Sequence, residues 1–420
     1  MKITETNNPR EAAYLALLSS AREERFLIDS LTKWKSQCSP SVQDYHLARE
    51  IAYGTTRMAL ALDHMAVQLT EKQKLSLKLR EKILFRMGLY QFVYMDKVPS
   101  YAIVDETIKI AKAHCHESFV KFLNACLRKV EEVDLELPKG ETVPELSIRF
   151  SYPAFYVQEL VQNFGLEKAQ EVMEAGNRPA PTMFRVRPHA STPKGANGEI
   201  DILAGTRCTM GVIQESSLIK EIASSPDYYI QNVTPAELMA SMGQDFEPPG
   251  SILDLCSSPG GKLISAHDLY PDAELFANDV SSEKLKPLSE NCAKYGVSAT
   301  LSSVRGEDFP LERSFDLVIL DVPCSNSGVL NKRPEARWRL SQKTLEQLEG
   351  IQLQLLRHAL ELLSEDGEIW YITCSVLKRE NARLIQKVCQ ELPLEVRRQE
   401  AILPNTDGWD GGFACALKKT

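Results

Sequence analysis

Two cysteines stand where a strand would end and a loop begin. One lies in Asp321-Val322-Pro323-Cys324-Ser325-Asn326-Ser327-Gly328, the other in Tyr371-Ile372-Thr373-Cys374-Ser375. The apolar runs 315–320 and 368–373 before them read as strands, so both thiols fall at the carboxyl edge of a sheet. Thiols so placed can be nucleophiles, a redox pair or buried filler, and a single cysteine is usually filler. Two in equivalent loop positions, one flanked by aspartate and proline, sit less comfortably with that reading.

A third segment, Asp254-Leu255-Cys256-Ser257-Ser258-Pro259-Gly260-Gly261-Lys262, follows a strand and precedes a helix. Paired glycines let backbone approach a ligand closely, and a helix N-terminus offers unpaired N–H groups and positive potential. A cofactor bearing a carboxylate or phosphate would suit it, as would a plain tight turn. The spacing is neither the dinucleotide Gly-x-Gly-x-x-Gly nor the P-loop pattern. Asp279 ends the next strand, where an acidic residue about 20 positions after a glycine loop hydrogen-bonds ribose hydroxyls. Asp308, after the third strand, is placed to accept from an adenine amino group. Either carboxylate alone is as readily a helix cap or a solvated loop residue.

These residues need a frame, and the chain is long enough for two or three domains at 420 residues. Residues 1–134 read as an all-α bundle, with apolar residues at helical spacing in 12–17 and 83–90 and a break at Pro99 before a helix over 101–113. Residues 135–144, with Pro138, Gly140 and Pro144, read as a linker. Residues 145–232 mix the two patterns as a small α+β domain, with one helix over 155–174 and strands over 179–186 and 209–214. A short helix follows, capped at Thr234. From 233 to 420, and clearly from Ser251, strand candidates 252–255, 274–277, 299–304, 315–320 and 368–373 alternate with helical segments such as 283–294 and 342–363. That is the pattern of a mostly parallel α/β sheet covered on both faces. Segments 394–398 and 413–417 would close it as an antiparallel edge hairpin.

Composition excludes other classes. No apolar run approaches a membrane span, and Met1 to Arg10 carries no hydrophobic leader, so a cytoplasmic address is expected. The ten cysteines are scattered without a Cys-x-x-Cys pair, which argues reduced thiols and no zinc ribbon. His114-Cys115-His116 points its side chains in different directions on a helix, so no metal site is expected. A net charge of −8 means that any nucleic-acid contact must be local.

Taken together, the glycine loop, Asp-x-Pro-Cys, Thr-Cys-Ser and the closing Asp407-Gly408-Trp409-Asp410-Gly411-Gly412-Phe413 resemble the RNA cytosine-C5 methyltransferases of the Sun/Nop2 type. The N-terminal part is similar to the NusB-type RNA-binding bundle, through segments 49–57, 88–91, 99–102 and 124–128. The resemblance implies a NusB-like bundle, a small α+β domain and a Rossmann-like class I methyltransferase domain. It also implies S-adenosyl-L-methionine as cofactor and 16S ribosomal RNA or a small-subunit precursor as partner, for a protein expected to be monomeric. Cys256, Ser257, Ser258, Pro259, Gly260, Gly261 and Lys262 would hold the methionine part of the cofactor, Asp279 its ribose and Asp308 its adenine. Cys374 would be the nucleophile, Cys324 would assist product release, and Asp321 would border the cofactor and contact the cytosine ring. Ser257 and Ser258 stand where the family often has alanines, a small-for-small change.

RNA contacts are expected from Arg333, Arg337, Trp338 and Arg339, the arginines on phosphates and the indole as a stacking face. The alternative places Trp338 in a core and pairs the arginines with acidic neighbours. Arg185 and Arg187 are weaker candidates.

Overall fold

The computed structural model describes residues 2–23, 25–70, 75–193 and 198–420. The chain divides into two compact units, Met1–Ala169 with Arg333–Arg339, and Gln170–Lys332 with Leu340–Thr420.

The first unit is helical. Seven α-helices, Pro9–Glu23, Leu27–Cys38, Val42–Arg57, Ala59–Thr70, Leu79–Tyr94, Ser100–His114 and Glu117–Arg128, lie among its described residues before position 130. Their apolar faces meet in one core containing Tyr14, Leu31, Trp34, Ile51, Leu62, Leu84, Phe85 and Leu123. The helix Glu117–Arg128 shows the cause: it buries Phe119, Val120, Leu123, Cys126 and Leu127, which fall on one face at 3.6 residues per turn. Pro99 sits at the N-cap of Ser100–His114, where its missing N–H costs nothing.

Two expectations for the helices over 143–175 differ from what is observed. The tail of the anticipated linker opens a helix, Val143–Phe150, in which Thr142 and Glu145 form a capping box and a proline occupies the first turn. The single helix expected over 155–174 is two, Ala154–Phe164 and Leu166–Ala175, interrupted at Gly165. The segment 145–232 is thereby divided: the helix Ala154–Phe164 belongs to the first unit, the boundary falls within Leu166–Ala175, and the strands belong to the second unit.

The second unit begins with a small antiparallel sheet of β1 (Thr182–Val186), β2 (Ile200–Ile202), β3 (Met210–Ile213) and β4 (Tyr228–Ile230), in the order β2-β3-β1-β4. β1 and β3 lie where the apolar runs put them. The three-residue β2 and β4 are too short to leave a pattern. The helix Val233–Met242 is capped by Asn232, whose Oδ1 accepts from the Thr234 amide, and not by Thr234.

The main sheet comprises β5 (Ser251–Asp254), β6 (Glu274–Asn278), β7 (Thr300–Ser302), β8 (Phe315–Asp321), β9 (Leu363–Thr373), β10 (Leu394–Ile402) and β11 (Gly412–Lys419), ordered β10-β11-β9-β8-β5-β6-β7. β5 to β9 pair in parallel, while β11 runs antiparallel to β9 and closes the expected edge hairpin with β10. Leu317 and Ile319 of β8 enter one core and Val318 and Leu320 the other, the period-2 alternation of a strand buried on both faces. Helices Gly261–Leu269 and Ser282–Tyr295 contribute to the first core, Gln342–Glu361 and Ala382–Glu391 to the second. The strand order reverses between β5 and β8, and an open α/β sheet binds its ligand in the crevice at such a point. No helix among the described residues is long and apolar enough to cross a membrane.

Candidate active site

At that crevice β5 delivers Asp254 and the chain turns into the helix Gly261–Leu269. Gly260 makes the turn at φ +100°, a conformation that strains any residue with a Cβ. The loop is held from the side: the Ser257 amide donates to the Asn278 carbonyl at 2.8 Å, and the Ser258 amide to Asp279 Oδ2 at 3.0 Å. Asp279 Oδ1 accepts from the Val280 amide at 2.8 Å and pairs with Lys284 at 3.1 Å. Asp308 lies in the turn Gly306–Asp308 after β7 with its side chain exposed, 4.0 Å from Arg305.

Lys262, in the first turn of the helix, reaches Asp321 at the end of β8 with Nζ 2.5 Å from Oδ2. Burial opposes its charge, but Asp321, Cys374 and Asp254 more than offset this and hold its pKa above the usual lysine value. Asp254 is fully buried and neither carboxylate oxygen has a hydrogen bond of good geometry. Burial first, then the charge of Asp321, pushes its pKa up to about 7, while Ser257, Lys262 and the Cys256 amide pull weakly the other way. The neighbouring Cys256 thiol is pushed up by burial and by the same carboxylates.

The loops after β8 and β9 bring the two thiols together, Cys324 Sγ and Cys374 Sγ standing 3.2 Å apart. Cys374 Sγ is also 3.4 Å from Asn326 Oδ1, and Asn326 folds back in a left-handed conformation to donate to the Cys324 carbonyl at 3.1 Å. The Cys324 thiol is pushed well up, by its hydrogen bond to Cys374, then by burial, then by the charges of Cys374 and Glu380. Gly328 fastens the closing segment beneath: its amide donates to the Cys374 carbonyl at 2.9 Å and its carbonyl accepts from the Gly411 amide at 2.7 Å. A Cβ there would lie 2.4 Å from the Gly411 carbonyl oxygen, so only glycine fits. Asp410 is buried beside it and pairs with Lys332 at 2.6 Å.

One sheet edge thus holds a glycine turn at a helix N-terminus, a lysine–carboxylate pair and two touching thiols. Residues 244–418 match the family described as 16S rRNA methyltransferase RsmB/F, and residues 7–132 match the NusB family. Residues 244–418 are thus similar to the RsmB/F methyltransferases, and residues 7–132 to NusB. It is 27% identical to the probable ribosomal RNA small subunit methyltransferase B of Bacillus subtilis (strain 168), over all of both chains. It is 26% identical to ribosomal RNA small subunit methyltransferase B of Salmonella newport (strain SL254), covering 92% of this chain and 91% of that one. Among solved structures, the protein PH0851 shares the fold with a TM-score of 0.78 at 18% identity, covering 100% of this chain and 99% of that one.

The arginine-rich segment takes a different place from the one expected. Arg333–Arg339 belongs to the first unit. Arg337 has no exposed surface. Its guanidinium donates to the carbonyls of Arg57 and Ser151 at 3.1 Å each and lies 3.9 Å from the centre of the Tyr152 ring, and burial lowers its pKa to about 10. That burial removes Arg337 from the candidate RNA surface. The half-buried Trp338 gives its indole N–H to the Thr56 carbonyl at 2.8 Å. Arg339 donates to the Arg25 carbonyl and, like the exposed Arg333, lies over the Phe26 ring. Arg185 and Arg187 are also buried, both paired with Asp268. Sequence reasoning missed Asp254, Asn326, Ser325, Ser375 and Glu380 as parts of the site; only their nearness to the two cysteine motifs and the glycine loop hinted at them.

Asp254 yields a pH prediction. Its displacement from an ordinary 3.8 to about 7 corresponds, at about 1.4 kcal/mol per pH unit, to a few kcal/mol. The unfolded chain releases this proton near pH 4 and the folded chain near pH 7, so stability falls as pH rises through that window and levels off above it. Asp254→Asn is therefore expected to raise the melting temperature at pH 8 by several degrees, with the difference shrinking toward pH 4. Thermal unfolding from pH 5 to 8 measures this, and parallel curves for the two proteins would refute it.

Proposed function

We propose that this chain methylates carbon 5 of a cytosine in 16S ribosomal RNA, with S-adenosylmethionine as methyl donor and Cys374 as covalent nucleophile. The observation that carries the reading is the pair of sulfurs 3.2 Å apart beside the glycine-turn crevice. The residues there suit the cofactor: Asp254 has two buried carboxylate oxygens without a good partner beneath the loop, a match for a cationic methionine end. Cys256, Ser257, Ser258, Pro259, Gly260, Gly261 and Lys262 would hold that end, Asp279 the ribose and Asp308 the adenine. Bound there, S-adenosylmethionine supplies an electrophilic methyl group.

The chain's own residues then have defined tasks. Cytosine C5 is too electron-poor to attack that methyl group unaided. Addition of the Cys374 sulfur to C6 makes C5 an enamine-like carbon. A proton is needed at N3 as the adduct forms, and the Lys262–Asp321 pair is the proton-bearing group at the β8 edge. Cys324, its thiol pushed up, keeps its proton beside the Cys374 sulfur. After C5 has gained its methyl group it loses its proton to a base, the C6–S bond breaks and the Cys374 thiolate returns, with Cys324 assisting release. The base must leave its stack or lie in a loop to reach the site.

The test is the product. The protein is incubated with S-adenosylmethionine and either unmodified 16S ribosomal RNA or small subunits, and the RNA is digested to nucleosides for mass spectrometry. 5-Methylcytidine is expected. Methylation at cytosine N4 or adenine N6 would overturn the reading.

A further inference from the structure

The carboxylate of Glu380 lies behind both cysteine loops with no exposed surface. Its Oε1 accepts from the Ser325 amide at 2.8 Å and from Gln352 Nε2 at 3.2 Å. Its Oε2 accepts from the Ser325 hydroxyl at 2.5 Å and the Ser375 hydroxyl at 2.6 Å. Ser325 follows Cys324 in the chain and Ser375 follows Cys374. One carboxylate therefore ties together the two strand-end loops at the residues next to the thiols. Among the described residues no lysine or arginine forms an ion pair with it, so four hydrogen-bond donors carry the whole cost of its burial.

The next residue repeats the device on one side. Asn381 Nδ2 donates to the Ser375 carbonyl at 2.8 Å, and its Oδ1 accepts from Thr373 Oγ1 at 2.7 Å. The Glu380 carbonyl is itself held by the Tyr371 hydroxyl at 2.7 Å. Both residues are thus fixed to β9 and its loop, while the Glu380 carboxylate reaches to the loop after β8.

We propose that Glu380 is the positioning residue of the thiol pair, a buried carboxylate that sets the Cys324–Cys374 separation through Ser325 and Ser375. The proposal rests on the reading of Cys374 as nucleophile and Cys324 as its partner. Glu380 touches neither the base nor the cofactor and acts through the two serines. Its charge also contributes to keeping the proton on Cys324, after the hydrogen bond to Cys374, burial and the charge of Cys374. Glutamine at this position keeps the shape; with its oxygen toward the Ser325 amide and Gln352, its nitrogen faces the Ser325 and Ser375 hydroxyls, which lose the charged acceptor they share, so the clamp loosens without leaving a cavity.

The separation can be read without catalysis. Dibromobimane joins two thiols only when they stand close together, each sulfur displacing one bromide. Peptide mass mapping of the whole protein, without RNA or S-adenosylmethionine, then gives the yield of the Cys324–Cys374 bridge. The wild-type protein is expected to form it readily. Glu380→Gln is expected to lower the yield about tenfold and kcat about a hundredfold, with KM for RNA and for S-adenosylmethionine within about threefold of wild type, as for a misplaced reacting pair. Ser325→Ala and Ser375→Ala each remove one arm and are expected to fall between, and they carry the test if Glu380→Gln does not fold. A folded variant with wild-type bridging and wild-type kcat would overturn the proposal, as would a loss of melting temperature without the kcat-against-KM split. Failure of the cytosine reading would leave the bridging result standing and show itself in the nucleoside digest instead.

Discussion

Replacing Cys374 by alanine is expected to lower methyl transfer about a thousandfold or more while S-adenosylmethionine binding changes less than about threefold. The size follows from the base. Without sulfur at C6, cytosine C5 has no route to enamine character, and no other described nucleophile stands beside the Cys324 thiol as Cys374 does, at 3.2 Å. The selectivity follows from the fold. The glycine loop and Asp279 hang on β5 and β6, held by the Ser257 and Ser258 amides, and Cys374 hangs on β9. Its sulfur meets Cys324 Sγ and Asn326 Oδ1, and truncation to alanine removes that one reactive atom while keeping the Cβ. Incorporation of labelled methyl groups into 16S ribosomal RNA, together with calorimetry for the cofactor, reads both halves. Near-normal turnover in the folded variant would remove the covalent mechanism; loss of cofactor binding instead would make Cys374 a structural residue.

Legibility followed the range of the interactions. The glycine turn could be read because its requirements are local: a strand, a φ of +100° at Gly260 and a helix start within ten residues. The thiols could be placed at one edge because β8 and the second half of β9 are apolar runs, and parallel pairing aligns their ends. The clamp could not be read. Glu380 meets Ser325 across 55 positions, and nothing in Arg-Glu-Asn says that the glutamate turns inward. Arg337 was misread for the same reason. An arginine near a catalytic motif suggests phosphate, but here two carbonyls and a tyrosine ring pay for its burial. Strands of three residues, β2 and β4, exist through their neighbours in the sheet and carry no alternation of their own.

Cys324→Ala is expected to separate the two halves of the reaction. Addition to C6 is made by the Cys374 sulfur, and Cys324 takes no part in the bond that forms. Breakdown needs the C5 proton removed and the C6–S bond opened on the side where Cys324 stands. Removing Cys324 should therefore slow release more than formation, with turnover falling about a hundredfold and the methylated adduct accumulating. The adduct would appear as a protein band retarded by the mass of the RNA on a denaturing gel, dependent on S-adenosylmethionine. The double variant Cys324→Ala with Cys374→Ala decides which sulfur holds the RNA. The retarded band must vanish there, because its covalent bond runs through Cys374. If the band persisted in the double variant, another residue would be the nucleophile. If the single variant turned over slowly with no band at any time, Cys324 would act before the covalent step and not after it, and the assignment of the two thiols would have to be exchanged.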